Sequence, residues 1–186
     1  MTRAASVETG DQLRLFCALR LPDAAIDALA DWQAATFGGV ERVRIVAREQ
    51  LHVTLAFLGR RSREDVARVA EELRGAAADA AVPTLRVRGY RETRSVGMLV
   101  CGDEEGAATA LAAELHGRLE RLGVYERERR EWLPHVTVVR FRERPRLSPA
   151  VPDPGPVVTS EAAVYMSVLR PSGAQYVVLE SVAIGR

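Results

Sequence analysis

The sequence predicts an α+β fold, and three observations carry the expectation. Of 186 residues, 47% are apolar, enough to supply a sizeable core for one domain or for two small lobes sharing an interface. Apolar runs with the character of strands outnumber amphipathic helical stripes by roughly eight to three. The helices are inserted between strands without alternating one for one, which argues for α+β over a doubly wound parallel sheet.

Residues 1–12 (MTRAASVETGDQ) are polar and read as a disordered start that lacks the apolar centre of a signal peptide. Residues 13–21 (LRLFCALRL) form a nearly continuous apolar run, the mark of a buried strand. Pro22-Asp23 opens a helix whose apolar positions Ile26, Leu29 and Ala30 recur at helical spacing, and Gly38-Gly39 ends the region. Residues 43–46 and 51–58 read as strands. Ser62 with Asp65 after it resembles a capping box, and Val66, Val69, Ala70 and Leu73 continue on one helical face. Beyond Pro83, residues 85–90 and 96–101 form a strand pair, and Ala108, Leu111, Ala112, Leu115, Leu119 and Leu122 make a third helical stripe. Residues 133–141 read as a strand. Residues 148–156 (SPAVPDPGP) hold four of the nine prolines and form an irregular loop, because proline removes a ladder donor and restricts its predecessor. Two last strands, 157–169 and 175–183, surround the turn Pro171-Ser172-Gly173.

Composition narrows the chemistry. All 26 basic residues are Arg, so a Schiff-base lysine, a lysine general base and the lysine of a phosphate-binding P-loop are excluded. The net charge of +1 argues against a protein that coats duplex nucleic acid, so any nucleic-acid contact is local. Cys17 and Cys101 each sit in an apolar stretch, at neither disulfide nor zinc-ligand spacing, and fit a reducing cytoplasm. No apolar run reaches transmembrane length, and a cytoplasmic location without membrane contact is expected.

Two segments echo each other, Leu51-His52-Val53-Thr54-Leu55 and Pro134-His135-Val136-Thr137-Val138. In a strand, side chains alternate faces, so His52 and Thr54 share one face while Leu51, Val53 and Leu55 share the other. The same holds for His135 and Thr137 against Val136 and Val138. Each motif anchors in a core on one side and presents an imidazole beside a hydroxyl on the other. A strand His followed by Thr is ordinary strand chemistry taken singly. With nine Thr in the chain, chance puts one two places after a given His about one time in twenty, and two such pairs among three His is an improbable coincidence. No further His, Cys or clustered carboxylate stands at ligand spacing around either motif, so neither metal nor cofactor is expected.

The repeated His-x-Thr-x, the opening RLFCALRLP, the frames LHVTLAFLG and LPHVTVVRF and the closing SVLRPSGAQY together resemble the two-histidine (2H) phosphoesterase superfamily. Within it, the RNA 2′,3′-cyclic phosphodiesterases, also called 2′-5′ RNA ligases, match best. The resemblance implies that residues 13–186 form one bilobal domain, with two pseudo-symmetric lobes of antiparallel sheet and outer helices around a central cleft. It implies metal-independent hydrolysis of RNA 2′,3′-cyclic phosphate ends to 2′-phosphomonoesters, with 2′-5′ ligation as a reverse capability. His52 is then the proton donor and His135 the proton acceptor, a division that suits opening a cyclic phosphodiester, where a base activates water and an acid protonates the departing 3′ oxygen. The Thr54 and Thr137 hydroxyls would donate to the non-bridging oxygens.

The resemblance also points to Arg140 near the phosphate, although strict alternation puts it on the face opposite His135, so a bulge or strand end is needed to bring it round. Where the family often carries an aromatic, this chain has Arg44-Ile45. Phe57, on the core-facing side with Val53 by strict alternation, reads as packing. His116 lies in a helix without a motif and reads as an exposed or rim residue. Residues 126–131 (ERERRE) read as a solvated connector, whose arginines with Arg142, Arg144 and Arg146 could guide an RNA strand. Trp32 reads as a packing anchor, and Trp132, three residues before His135, as the better candidate to stack a nucleotide. The expected partner is an RNA with a 2′,3′-cyclic phosphate end, met by a monomer. Rival readings are a relative acting on a small cyclic nucleotide, such as a cyclic phosphate of ADP-ribose, and an idle nucleotide-binding module.

Overall fold

Residues 12–170 and 173–185 are described by the computed structural model. Most of the polar start, 1–11, and Pro171-Ser172 of the closing turn lie outside the described residues, whereas Gln12 already belongs to the first strand. The strands are β1 (Gln12–Arg20), β2 (Val43–Ile45), β3 (His52–Ser62), β4 (Thr84–Glu92), β5 (Val96–Gly102), β6 (His135–Phe141), β7 (Val157–Val158), β8 (Glu161–Arg170) and β9 (Gly173–Ala183). Among the described residues, three helices, α1 (Asp23–Phe37), α2 (Asp65–Ala77) and α3 (Ala107–Arg121), and a 3-10 turn at Arg48–Gln50 complete the element order. Element types and order match the α+β expectation.

Two local readings change. The segment expected as one strand over 157–169 is split, because Thr159 is buried and its backbone N–H (2.9 Å) and hydroxyl (3.2 Å) both donate to the Pro83 carbonyl. Residues before this tie pair with β4 and residues after it with β1, so the chain changes lobes there. At the start of α2 only half of a capping box forms. The Asp65 carboxylate accepts from the Ser62 N–H and hydroxyl (3.2 and 3.0 Å), and the helix begins at Asp65 itself.

All strand pairings are antiparallel, in the order β7-β4-β5-β6-β3-β1-β8-β9 with β2 on β6. One lobe comprises β3, β1, β8 and β9, and the other β6, β5, β4, β7 and β2. They meet where β3 pairs with β6 through a single register pair, Val53 with Val136. These are the central residues of the two His-x-Thr motifs. Continued one step each way, that register aligns His52 with Thr137 and Thr54 with His135, so a local two-fold relation runs through the junction.

The helices cover one face of the curled sheet. Leu29 of α1, Leu73 of α2 and Leu111, Leu115 and Leu119 of α3 pack against Leu15, Leu19, Val53, Leu55, Val136 and Val138 from the strands. Each of these is almost fully buried, and a buried Leu contributes about 1.5–3 kcal/mol relative to an exposed one. A second, smaller cluster of Phe16, Ala18, Ala163 and Tyr165 lies apart from this core, with Tyr176 against it. It occupies the opposite face of β1 and β8, which is the face that carries the His and Thr side chains.

Candidate active site

Each motif histidine is held the same way. Nδ1 of His52 donates to the Gln50 carbonyl at 2.7 Å, and Nδ1 of His135 donates to the Leu133 carbonyl at 2.8 Å. A backbone carbonyl can only accept, so both Nδ1 atoms carry protons and both Nε2 atoms are left for chemistry. Nε2 of His52 lies 3.0 Å from the Thr54 hydroxyl, as alternation within β3 requires. Gln50 also spans to the β8–β9 hairpin through its side-chain amide, which donates to the Ala174 carbonyl. Next to that contact, Gly173 takes φ +124°, and a Cβ there would collide with the Arg44 guanidinium.

After each Thr the strand carries a bulge. On β3, Leu55 and Ala56 are both buried and the register with β1 slips between Cys17 and Ala18, after which Phe57 pairs with Phe16. On β6, Val138 and Val139 are both buried and the register with β5 slips between Gly97 and Met98, after which Arg140 pairs with Val96. An extra residue reverses the alternation beyond it. Arg140 is therefore turned onto the His135 face, as the sequence required of it, and Phe57 onto the His52 face. This corrects the core-facing reading of Phe57, which is half exposed.

Both bulges are pinned from beneath by a buried polar side chain on a helix. Gln33 of α1 donates to the carbonyl of Val138 (2.6 Å) and of Val46 (3.2 Å), and His116 of α3 donates through Nε2 to the carbonyl of Leu55 (2.8 Å). His116 is buried and its ring stacks on Tyr125 at 4.8 Å, so the expected rim residue is a structural one. Replacing Gln33 or His116 by Ala leaves a buried carbonyl short of a donor. Each is expected to cost about 1–3 kcal/mol, read as a shift of the denaturant midpoint at unchanged slope.

The electrostatics of the two imidazoles differ. His52 lies among Phe16 (5.1 Å between centroids), Tyr165 (6.0 Å) and Tyr176 (5.4 Å, edge-on). Burial in this bed pushes its pKa down to about 4, with the positive charges of His135 and Arg140 acting in the same direction and the Gln50 carbonyl opposing. In the free protein His52 is neutral at neutral pH. The register of Val53 with Val136 sets the two motif imidazoles on either side of the lobe junction, and the bulge on β6 turns Arg140 onto the His135 face.

This geometry agrees with what the chain is similar to. The family model of the 2'-5' RNA ligase superfamily matches residues 21–153. The chain belongs to that superfamily. Among solved structures, TT0787 of Thermus thermophilus superposes with a TM-score of 0.80 at 26% identity, over 92% of this chain and 98% of that one. E. coli LigT, solved with 3'-AMP and with NADP+, gives TM-scores of 0.77 and 0.74 at 25% identity, over 95% of this chain and all of LigT. The PDE domain of MHV ns2, at 15% identity and TM-score 0.59, shares the fold over 83% of this chain and 99% of that domain. No curated protein sequence matches the chain. Membership in the superfamily makes phosphoester chemistry the business of the cleft.

The other residues singled out in the sequence find their places around this site. The Trp132 indole donates to the Thr54 carbonyl at 3.0 Å and packs on the core, so it ties the approach to the second motif to the first motif strand. Trp32 is a packing anchor, edge-on to Phe37 and bonded to the Ala150 carbonyl. Residues 126–131 are exposed, and Arg127 and Arg130 pair with Glu120 and Glu128. Arg144 is engaged by Glu92, a buried carboxylate that also accepts from the backbone of Arg146 and Leu147. Cys17 and Cys101 are buried free thiols, and burial raises their pKa to about 12 and about 11. Among the described residues no group of three His, Cys, Asp or Glu is placed to hold a metal ion, and no helix is long and apolar enough to cross a membrane.

Sequence reasoning missed the aromatic bed around His52 and the two polar pins. Phe16, Tyr165 and Tyr176 come from three strands remote in sequence, and no local signal joins them. Arg44 stands out in the sequence only as a departure from the family pattern. Its register pairing with Arg140 across β2 and β6 brings two guanidinium groups to one face.

Proposed function

We propose that this protein hydrolyses 2′,3′-cyclic phosphate ends of RNA to 2′-phosphomonoesters, without a metal, and that residues 13–186 act as one bilobal unit. The observation that carries this reading is the pair of motif imidazoles, each with Nδ1 locked on a backbone carbonyl so that Nε2 faces the cleft side, on two strands that pair at Val53 and Val136 between the motif residues. LigT, similar over its whole length, was solved with nucleotides, which supports a nucleotide-bearing phosphate in the equivalent cleft.

His135 takes the proton of the attacking water and His52 gives one to the departing 3′ oxygen, on opposite sides of phosphorus. A depressed pKa makes His52 a ready donor once it is charged. The anionic phosphate raises the His52 pKa in the complex, against the burial and the Arg140 charge that lower it in the free protein, so that the ring takes up a proton from solvent. Thr54 and Thr137 donate to the non-bridging oxygens, where negative charge gathers. Arg140 holds the phosphate, and the half-exposed ring of Phe57 offers the base a stacking surface. Trp132 is left to positioning the Thr54 backbone.

The deciding experiment incubates purified protein with adenosine 2′,3′-cyclic phosphate and with an RNA carrying that end, with and without EDTA. Turnover unaffected by EDTA is expected. Loss on chelation with rescue by a divalent cation would assign a metal-dependent hydrolase, and turnover of the mononucleotide alone would assign a small cyclic nucleotide as substrate. Arg140→Ala is expected to lower kcat/KM about 100-fold, since a charge-assisted bidentate contact is worth on the order of 3 kcal/mol. The same variant raises the His52 pKa by removing one of the charges that depress it, which imidazole proton NMR would detect.

A further inference from the structure

Beyond Phe57 the cleft face of the first lobe continues into an arginine pair that the cyclic-phosphate chemistry does not use. A second register slip, between Leu15 and Phe16, makes Leu58 an extra residue on β3, and beyond it Arg14 of β1 and Arg60 of β3 are direct register partners, so their side chains leave the sheet on one face. That face is the active one, because Phe16 and Ala18 follow Arg14 at alternate positions and Ala18 pairs with Thr54. The Arg14 guanidinium confirms the placement, lying 5.5 Å from the centre of the Phe57 ring. Neither arginine has a carboxylate partner among the described residues. The Nε of Arg14 is buried with no hydrogen-bond partner.

Two like charges facing each other across a strand pair disfavour the folded state, and a buried guanidinium N–H left unbonded adds to the cost. An anion between the two would relieve both. The pair stands four strand positions from Ala18, about 13 Å along β1 at 3.3 Å per residue, and Arg14 leans back over Phe57 toward the motifs. A nucleoside whose terminal phosphate sits between the imidazoles and whose base stacks at Phe57 would send its 5′ side toward this pair.

We infer that Arg14 and Arg60 form a subsite for the phosphodiester upstream of the reacting nucleotide, so that the substrate is an RNA strand end rather than a mononucleotide. The inference rests on the reading of the cleft as a cyclic-phosphate site, and it names which member of that substrate class the protein prefers. The subsite takes one anionic linkage without reading the base, because guanidinium groups contact phosphate oxygens.

The test compares adenosine 2′,3′-cyclic phosphate with an adenylyl dinucleotide bearing the same cyclic end, on the parent and on Arg60→Gln. The parent is expected to favour the dinucleotide. Arg60→Gln should lower kcat/KM for the dinucleotide about tenfold, the size of one charge-assisted hydrogen bond, and leave the mononucleotide unchanged. Its dinucleotide KM should also lose salt dependence by close to one phosphate contact. Equal rates on the dinucleotide for parent and variant, or an equal loss on both substrates, would overturn the subsite. Absence of turnover on either substrate would instead sink the cyclic-phosphate reading. In that event calorimetry with two dinucleotide 2′-phosphates, one with a phosphodiester and one with an uncharged methylphosphonate linkage, still decides the subsite. Tighter binding of the charged linkage by the parent and not by Arg60→Gln supports it, and equal affinities refute it.

Discussion

His135→Ala and His52→Ala are each expected to lower kcat by about 10²–10⁴, the range of a lost proton transfer. Both rings lie on the cleft face, outside the main core, so the variants should still unfold cooperatively. His52 has three aromatic neighbours that Ala would leave without a partner, and His52→Gln serves as the control that keeps volume in the bed. The double variant should lose little more than the worse single one, because two groups acting in one step are not additive. The assigned roles separate on a substrate with an activated leaving group. A nitrophenyl phosphodiester needs no proton at the departing oxygen, so it should restore turnover to His52→Ala and leave His135→Ala slow. Restoration in the opposite variant would exchange donor and acceptor, and near-parent turnover in both would remove the histidines from the chemistry. Thr54→Ala and Thr137→Ala should cost about 10- to 1000-fold, as loss of one oxyanion donor does.

What the sequence makes legible follows from which patterns are local. The runs that become β1, β4, β5 and the three helices carry their own period, and the structure places them within a few residues of expectation. The shared face of each His and Thr is also local, since two residues apart in a strand point the same way. The bulges are not. Leu55-Ala56 and Val138-Val139 are apolar whether or not the strand bulges, so the sequence reads identically in both cases. What holds each bulge is a polar side chain far along the chain, His116 for one and Gln33 for the other. That is why Arg140 can be stated from sequence only as needing a bulge, why alternation alone puts Phe57 on the wrong face, and why His116 reads as a rim residue. The equivalence of the two pins, one on α1 and one on α3, shows the duplication reaching beneath the sheet as well as across its active face.

The depressed pKa of His52 makes pH the second lever. In the unfolded chain this imidazole takes a proton near the ordinary 6.5, whereas in the folded, free protein it does so only near 4. Between those values the unfolded state binds more protons, so stability rises with pH across the window and falls as pH drops through it. The thermal midpoint of the ligand-free protein should therefore decline from about pH 6.5 to about 4, and His52→Gln should flatten that part of the curve.

For turnover, kcat/KM should be bell-shaped, with limbs that belong to the coupled pair of imidazoles rather than to either ring alone. Neither limb reports one ring, because the reactive form, His52 charged and His135 neutral, is one of two singly protonated forms of the pair and shares its pH dependence with the other. The limbs of kcat/KM report the free enzyme, in which His52 is held neutral down to about 4, and those of kcat report the complex. A bound phosphate anion favours the imidazolium, so the limbs of kcat should lie at higher pH than those of kcat/KM. Coincident limbs would show that phosphate binding does not charge the pair. Product identity completes the test, since protonation of the 3′ oxygen by His52 leaves the phosphate on the 2′ oxygen. Phosphorus NMR against 2′- and 3′-phosphate standards should show the 2′-phosphate alone, and a 3′-phosphate would mean that the ribose lies reversed between the two histidines.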